Sequence, residues 1–215
     1  MMTHYRLHYF PESGNAWKLA QMLTLCEQPF DLVWTDFASG VTFTREWRAQ
    51  VNAMGEIPVL EIDGVGFTQT APLLLRLARS YDRMGPRTPE EEYEILRWLF
   101  WDNQKLSGYM ATYRFLRAFT DAPEPAELAF LLRRTKDQLK ILETHLSTVP
   151  FVACGRPTIV DISASAYLSF PSRETGFEFA ESHPAIADWL HRLSELPGWT
   201  PAYELLPGQR MVCRT

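Results

Sequence analysis

Gln69 and Thr70 stand two residues ahead of the apolar run Leu73-Leu74-Leu75. An amide beside a hydroxyl at a helix start makes a carboxylate site, because the first N–H groups there lack intrahelical partners and the helix dipole is positive. Upstream, Pro58 falls between Ile57 and Val59 at the start of a strand-like run. Proline cannot donate to a ladder, so it belongs at an edge, at a first residue or in a bulge. A cis Ile57-Pro58 bond would turn the chain there and free the backbone N–H and C=O of Ile57 to pair with an extended peptide. A peptide carrying a free carboxylate would fit both features at once. Each has a plainer reading alone, the hydroxyl as a cap and the proline as a strand edge. Their succession around the Asp63-Gly64 turn is what points to a ligand.

The elements that must position these groups follow from the pattern. Ile57 to Ile62 reads as a strand, Asp63-Gly64 as a tight turn, Val65 to Thr68 as a return strand, and the following helix is capped by Thr70. Earlier, Tyr5 to Phe10 is β-prone and Pro11 to Asn15 are turn formers. A helix from Ala16 to Glu27 stops before Pro29, and Phe30 to Phe37 is a second strand. This βαβ unit predicts parallel strands with a right-handed crossover. A short helix over Thr42 to Gln50 completes an α/β unit at residues 4–80. A linker at 81–89, an all-helical domain at 90–206 and a tail at 207–215 follow.

Within the helical domain, Glu90 to Phe119 reads as one long helix opening on acids, and Glu127 to Leu146 as an amphipathic one. Thr158 and Asp161 spell a capping box before a helix at Ile162 to Ser169. His183-Pro184 opens a last helix that ends at Pro197-Gly198.

Composition excludes several classes. The 215 residues are 46% hydrophobic and 22% charged, with a formal net charge of −5 and no long basic cluster, which argues against nucleic acid as a partner. No apolar run is long enough to span a membrane, and the first residues carry no basic-then-apolar leader, so a cytoplasmic protein is expected. The three cysteines, Cys26, Cys154 and Cys213, are widely spaced without a C-x-x-C, so neither a metal site nor a dithiol is expected.

Over essentially its full length the chain resembles the cytosolic glutathione transferases. The matching residues are Ser13-Gly14-Asn15 with Lys18, then Asn52-Ala53-Met54-Gly55-Glu56-Ile57-Pro58-Val59-Leu60, then Gln69-Thr70 before Leu74. In the second half they are Gly155, Thr158, Asp161, Pro184 and Trp189, and the SGN-x-x-K form looks like a serine-type bacterial group. The resemblance implies a thioredoxin-like α/β N-terminal domain followed by an all-α C-terminal domain, paired as a homodimer.

It also implies glutathione as cosubstrate, without a metal. Ile57 and Pro58 would hold its cysteinyl part, and Gln69 and Thr70 its γ-glutamyl carboxylate. Asp102 of the partner subunit would reach the γ-glutamyl amine. Ser13 would face the sulfur, with Asn15 as its rival and Tyr5 and Tyr9 ranked below Ser13. A free thiol of pKa about 8.5 is only a few per cent thiolate at neutral pH, so a hydroxyl donor and a helix N-terminus would activate it. The second substrate would be a small hydrophobic electrophile against Phe10, Pro11, Tyr109, Met110 and Tyr113, residues that also read as core or interface. The competing function is a glutathione-transferase-fold protein that binds glutathione or a protein partner without catalysis.

Overall fold

The computed structural model of the protein describes residues 3–215; Met1 and Met2, at the head of the stretch read for a leader, lie outside it. By contact the chain forms two compact units. The first runs to Arg83 and takes back Gly198–Met211; the second is Met84–Pro197 with Val212–Thr215. The boundary near Arg83 comes from sequence-local elements, whereas the return of Gly198–Met211 depends on contacts with the first unit.

The first unit is a four-stranded sheet with helices. Its elements are β1 (Tyr5–Tyr9), α1 (Gly14–Leu25), β2 (Phe30–Trp34), α2 (Arg45–Gln50), β3 (Val59–Ile62), β4 (Val65–Phe67) and α3 (Thr70–Tyr81). Strand order is β2-β1-β3-β4, with β1 parallel to β2 and antiparallel to β3, and β3 antiparallel to β4. Tyr5, Leu7 and Tyr9 alternate onto one face of β1 and are buried, as period-2 geometry requires. On α1, Trp17, Leu19, Ala20, Met22 and Leu23 have no exposed surface, and the helix packs on α3.

Several boundaries differ from the sequence expectation. The second strand stops at Trp34, where Asp36 caps a 3-10 turn at Phe37–Ser39. The third strand starts at Val59, since Pro58 cannot join the ladder. Thr70 is the first residue of α3, not its cap; Gln69 occupies the cap position and its side chain makes no capping bond.

The second unit is helical: α4 (Pro89–Trp101), α5 (Ser107–Phe119), α6 (Pro125–Leu146), α7 (Ile159–Ser165), α8 (Ser172–Thr175), α9 (Phe179–Ser182) and α10 (Pro184–Ser194). The expected helix over 90–119 is interrupted by a π turn at Asp102–Leu106. α7 begins at Ile159, immediately after Thr158, rather than at Ile162. The expected capping box is formed, with Thr158 N–H donating to Asp161 Oδ2 at 2.8 Å. Asp161 also accepts from Val152 N–H and Trp189 Nε1, both at 2.9 Å. Burial raises its pKa while these donors work against that rise. One carboxylate thus ties α7, the preceding loop and α10 into one core.

Candidate functional site

The sheet register decides what can meet what. Val59, the first residue of β3, pairs with His8 near the end of β1, so Ile57-Pro58 lies beside the Phe10–Ser13 loop. β4 runs back along β3, with Phe67 opposite Leu60, and delivers Gln69 and Thr70 to the same end of the sheet. β1 and β4 therefore point the same way, and the helices that follow them, α1 and α3, both present their N-termini there. Two positive helix ends and the start of β3 converge at one edge.

Three groups at this edge, Ser13, Ile57 and Thr70, keep bonding capacity that no described residue uses. The Ser13 side chain is 3% exposed and caps α1, its Oγ accepting from Ala16 N–H at 3.0 Å. The hydroxyl proton has no acceptor among the described residues, so a capping serine can still donate to a ligand. Asn15 follows on the first turn of α1, half-buried. The Ile57-Pro58 bond is cis, and the Ile57 backbone takes no partner among the described residues. The Thr70 hydroxyl likewise bonds to none of them.

Gln69 has φ 69 and ψ 109, outside the small left-handed region open to non-glycine residues. Such conformations cost about 1–3 kcal/mol and cluster at ligand clamps. Its Nε2 donates to Glu56 Oε2 at 3.0 Å. Glu56 is held in turn by Asn52, whose Nδ2 donates to Glu56 O at 2.9 Å and whose Oδ1 accepts from Met54 N–H at 3.1 Å. Gly55, at φ 72, closes this loop; a Cβ there would lie 2.8 Å from the Arg48 guanidinium. Sequence reasoning missed Glu56, and an acid directly before an Ile-Pro pair was the available signal.

The expected apolar residues separate. Phe10 stacks on Phe37, with ring centroids 4.3 Å apart and planes at 8°, and stays half-buried. Pro11 is buried. Met110 has no exposed surface and is a core residue of the helical unit, since it is turned about 100° around α5 from Tyr109. Tyr109 is half-exposed, and its Oη accepts from Arg134 at 3.2 Å. Tyr113 is 5% exposed and, with Leu132, Lys136, Phe177 and His183, lines an open pocket of about 500 Å³ on that unit.

Asp102 is a correction. It has no exposed surface, and its carboxylate accepts from Ser107 Oγ at 2.8 Å and Ser163 Oγ at 2.5 Å. An acid committed inward to α5 and α7 cannot reach a ligand on a neighbouring subunit. Cys26 is 7% exposed, and burial pushes its thiol pKa up to about 11, as in an inert packing residue.

A mixed four-stranded sheet of this order with its helices, followed in the chain by a helical unit whose α7 is capped by Thr158, is the glutathione transferase fold. Residues 107–197 match the family model for the glutathione S-transferase C-terminal domain. The solved structure of a glutathione S-transferase from Xanthobacter autotrophicus Py2 is 30% identical and superposes with a TM-score of 0.83, covering 94% of this chain and all of that one. An uncharacterized GST-like protein of Streptococcus mutans is 26% identical over 89% of this chain and 78% of its own. At 20% identity, a glutathione transferase of Phanerochaete chrysosporium solved with oxidized glutathione shares the fold, with a TM-score of 0.82 over 93% of each chain. The chain belongs to the glutathione S-transferase family.

Proposed function

We propose that the protein is a glutathione transferase of the serine type, acting in the cytoplasm as a homodimer on a small hydrophobic electrophile. The observation that carries this reading is the convergence of the α1 and α3 N-termini beside the unpaired Ile57 backbone, with Gln69 held in a strained conformation between them. In this reading Ile57 N–H and C=O bind the cysteinyl unit as a short strand. Thr70 and the first N–H groups of α3 take the γ-glutamyl carboxylate, and Gln69 is fixed by Glu56 to meet the same end. Ser13 donates its free proton to the sulfur, and the α1 N-terminus adds positive potential.

Both interactions favour the anion over the thiol, so they lower the thiol pKa and raise the nucleophile's concentration at neutral pH. The attack then forms a carbon–sulfur bond on the electrophile and expels its leaving group or opens its ring. The glutathione supplies the nucleophile and the protein supplies the potential. Phe10, stacked on Phe37 and half-buried, is the aromatic residue of the loop that leads to Ser13.

Calorimetric titration of glutathione against Gln69→Ala/Thr70→Ala tests the placement; unchanged affinity overturns it. A turnover screen over aryl halides, epoxides, isothiocyanates and peroxides then separates an enzyme from a binding protein of the same fold.

A further inference from the structure

Gly198–Met211 is fastened at both ends to the helix and loop that carry Ser13. At its start, Gln21 of α1 uses both ends of its amide: Nε2 donates to Gly198 O, and Oε1 accepts from Thr200 N–H, each at 2.9 Å. Trp17 Nε1 donates to Thr200 O at 2.9 Å, and its ring meets Trp199 edge-on at 5.3 Å. A short helix, α11 (Ala202–Leu205), follows, seated by the buried side chains of Ala202 and Leu206.

At the far end the Tyr9 hydroxyl donates to Pro207 O, and Met211 N–H donates to Glu12 Oε1 at 2.8 Å. Burial pushes the Tyr9 phenol up in pKa, so it stays protonated as the donor. Gly208, at φ 136, runs against Trp34 and Tyr9. A Cβ there would come within 3.1 Å of Trp34 Cδ1 and 3.5 Å of Tyr9 Oη, so glycine is what lets the backbone approach this closely.

We propose that Gly198–Met211 is a strap that fixes the Phe10–Ser13 loop, with Tyr9 and Glu12 as the positioning residues through which it aims the Ser13 hydroxyl. The inference rests on Ser13 facing the glutathione sulfur. Between β1 and α1 the loop closes on itself through one backbone bond, Ser13 N–H to Phe10 O at 3.0 Å. Tyr9 just before it and Glu12 within it are both tied to the strap, and Glu12 is itself only 4% exposed. A hydrogen bond weakens steeply as it leaves its line, so small shifts of Ser13 cost the thiolate. The proposed tripeptide contacts lie on Ile57 and α3, whereas the hydrogen bonds that fasten the strap at its two ends run to Tyr9, Glu12, Trp17 and Gln21. Loosening the strap should therefore change activation and spare binding.

The test uses full-length variants. Met211→Pro removes the N–H given to Glu12, and Tyr9→Phe removes only the hydroxyl given to Pro207. The pH profile of kcat/KM and the absorbance titration of bound glutathione are read for each, alone and combined with Ser13→Ala. The expected result is a midpoint higher by about half to one pH unit, which is about three- to tenfold less thiolate below it. The glutathione KM should stay within about twofold. In the Ser13→Ala background neither substitution should shift the midpoint further, because the strap acts through that hydroxyl. If Ser13→Ala moves the midpoint while both strap variants leave it in place, the strap is overturned and the Ser13 reading stands. Shifts that add to Ser13→Ala also overturn it. If Ser13→Ala alone moves nothing, the sulfur reading itself has failed. Should Met211→Pro not fold, Tyr9→Phe decides.

Discussion

Gln69 Nε2 donates to Glu56 Oε2 at 3.0 Å while the Gln69 backbone sits at φ 69. The side chain that fixes the amide also helps hold a backbone that glutamine does not favour. Gln69→Gly relieves the steric cost, and the conformation itself is worth about 1–3 kcal/mol. The variant is expected to melt higher than the parent and to bind glutathione more weakly, because the amide is gone. Thermal unfolding and calorimetric titration on the same preparation check both halves. A variant that loses stability shows that the Glu56 bond outweighs the strain.

Ser13 caps α1 with the same oxygen that is proposed to meet the sulfur. As the cap of α1 it accepts from Ala16 N–H, so Ser13→Ala is expected to cost about 0.5–2 kcal/mol of stability. In the proposed reading the same hydroxyl would donate to the sulfur in a charge-assisted bond of about 1.5–3 kcal/mol, so turnover is expected to fall roughly tenfold to a hundredfold. The bound thiol should titrate about one to two units higher, with glutathione affinity nearly kept. Asn15→Ala separates the rival candidates. If it moves the titration and Ser13→Ala does not, Asn15 is the donor.

The site was legible where it is local. Pro58, the Asp63-Gly64 turn and Gln69-Thr70 announce themselves through turn chemistry and helix-end chemistry, and Thr158 with Asp161 through a capping pattern. What stayed hidden depends on distant contacts or on a rare backbone state. Nothing in the type of Gln69 foretells a positive φ, and a 3.6-residue period runs through Asp102 without marking the π turn that draws it inward. Gln21 and Trp17 read as helix filler, because the segment they hold arrives from the other end of the chain.

The second unit leaves Tyr93 and Phe100 exposed at 67% and 72%, one heptad apart on the same face of α4. Trp98 and Leu99 are buried, and Trp101 is half-buried, edge-on to Trp98 at 5.0 Å with Nε1 donating to Gln138 at 3.2 Å. Beside Tyr93, a groove of about 540 Å³ is lined by Pro86, Pro89 and Leu96. If a second copy covers this face, light scattering gives twice 24.8 kDa for the parent and 24.8 kDa for Phe100→Asp. A parent of monomer mass overturns the dimer, and a dimeric Phe100→Asp moves the interface off α4.

The last prediction concerns pH and the sheet beneath the site. Arg6 on β1 lies directly opposite Glu61 on β3, and His8 follows on the same face. Arg6 Nη1 donates to Glu61 Oε2 at 2.9 Å, and His8 Nε2 lies 2.6 Å from Oε1. The hydrogen bond from His8, with the Arg6 charge behind it, holds the Glu61 carboxyl below the usual range. A carboxyl whose folded pKa is lowered contributes stability that is fully present above its unfolded value, about 4.3. That contribution is lost as pH falls through the folded value, because the unfolded chain takes up the proton first. Glu61→Gln removes the titrating group while keeping the shape. It is expected to be less stable than the parent at neutral pH and to lose less further stability on acidification below about pH 4.3. Urea unfolding across that range checks it: parallel acid limbs in parent and variant would mean that the Arg6–Glu61–His8 cluster does not couple β1 to β3 in the way the geometry requires.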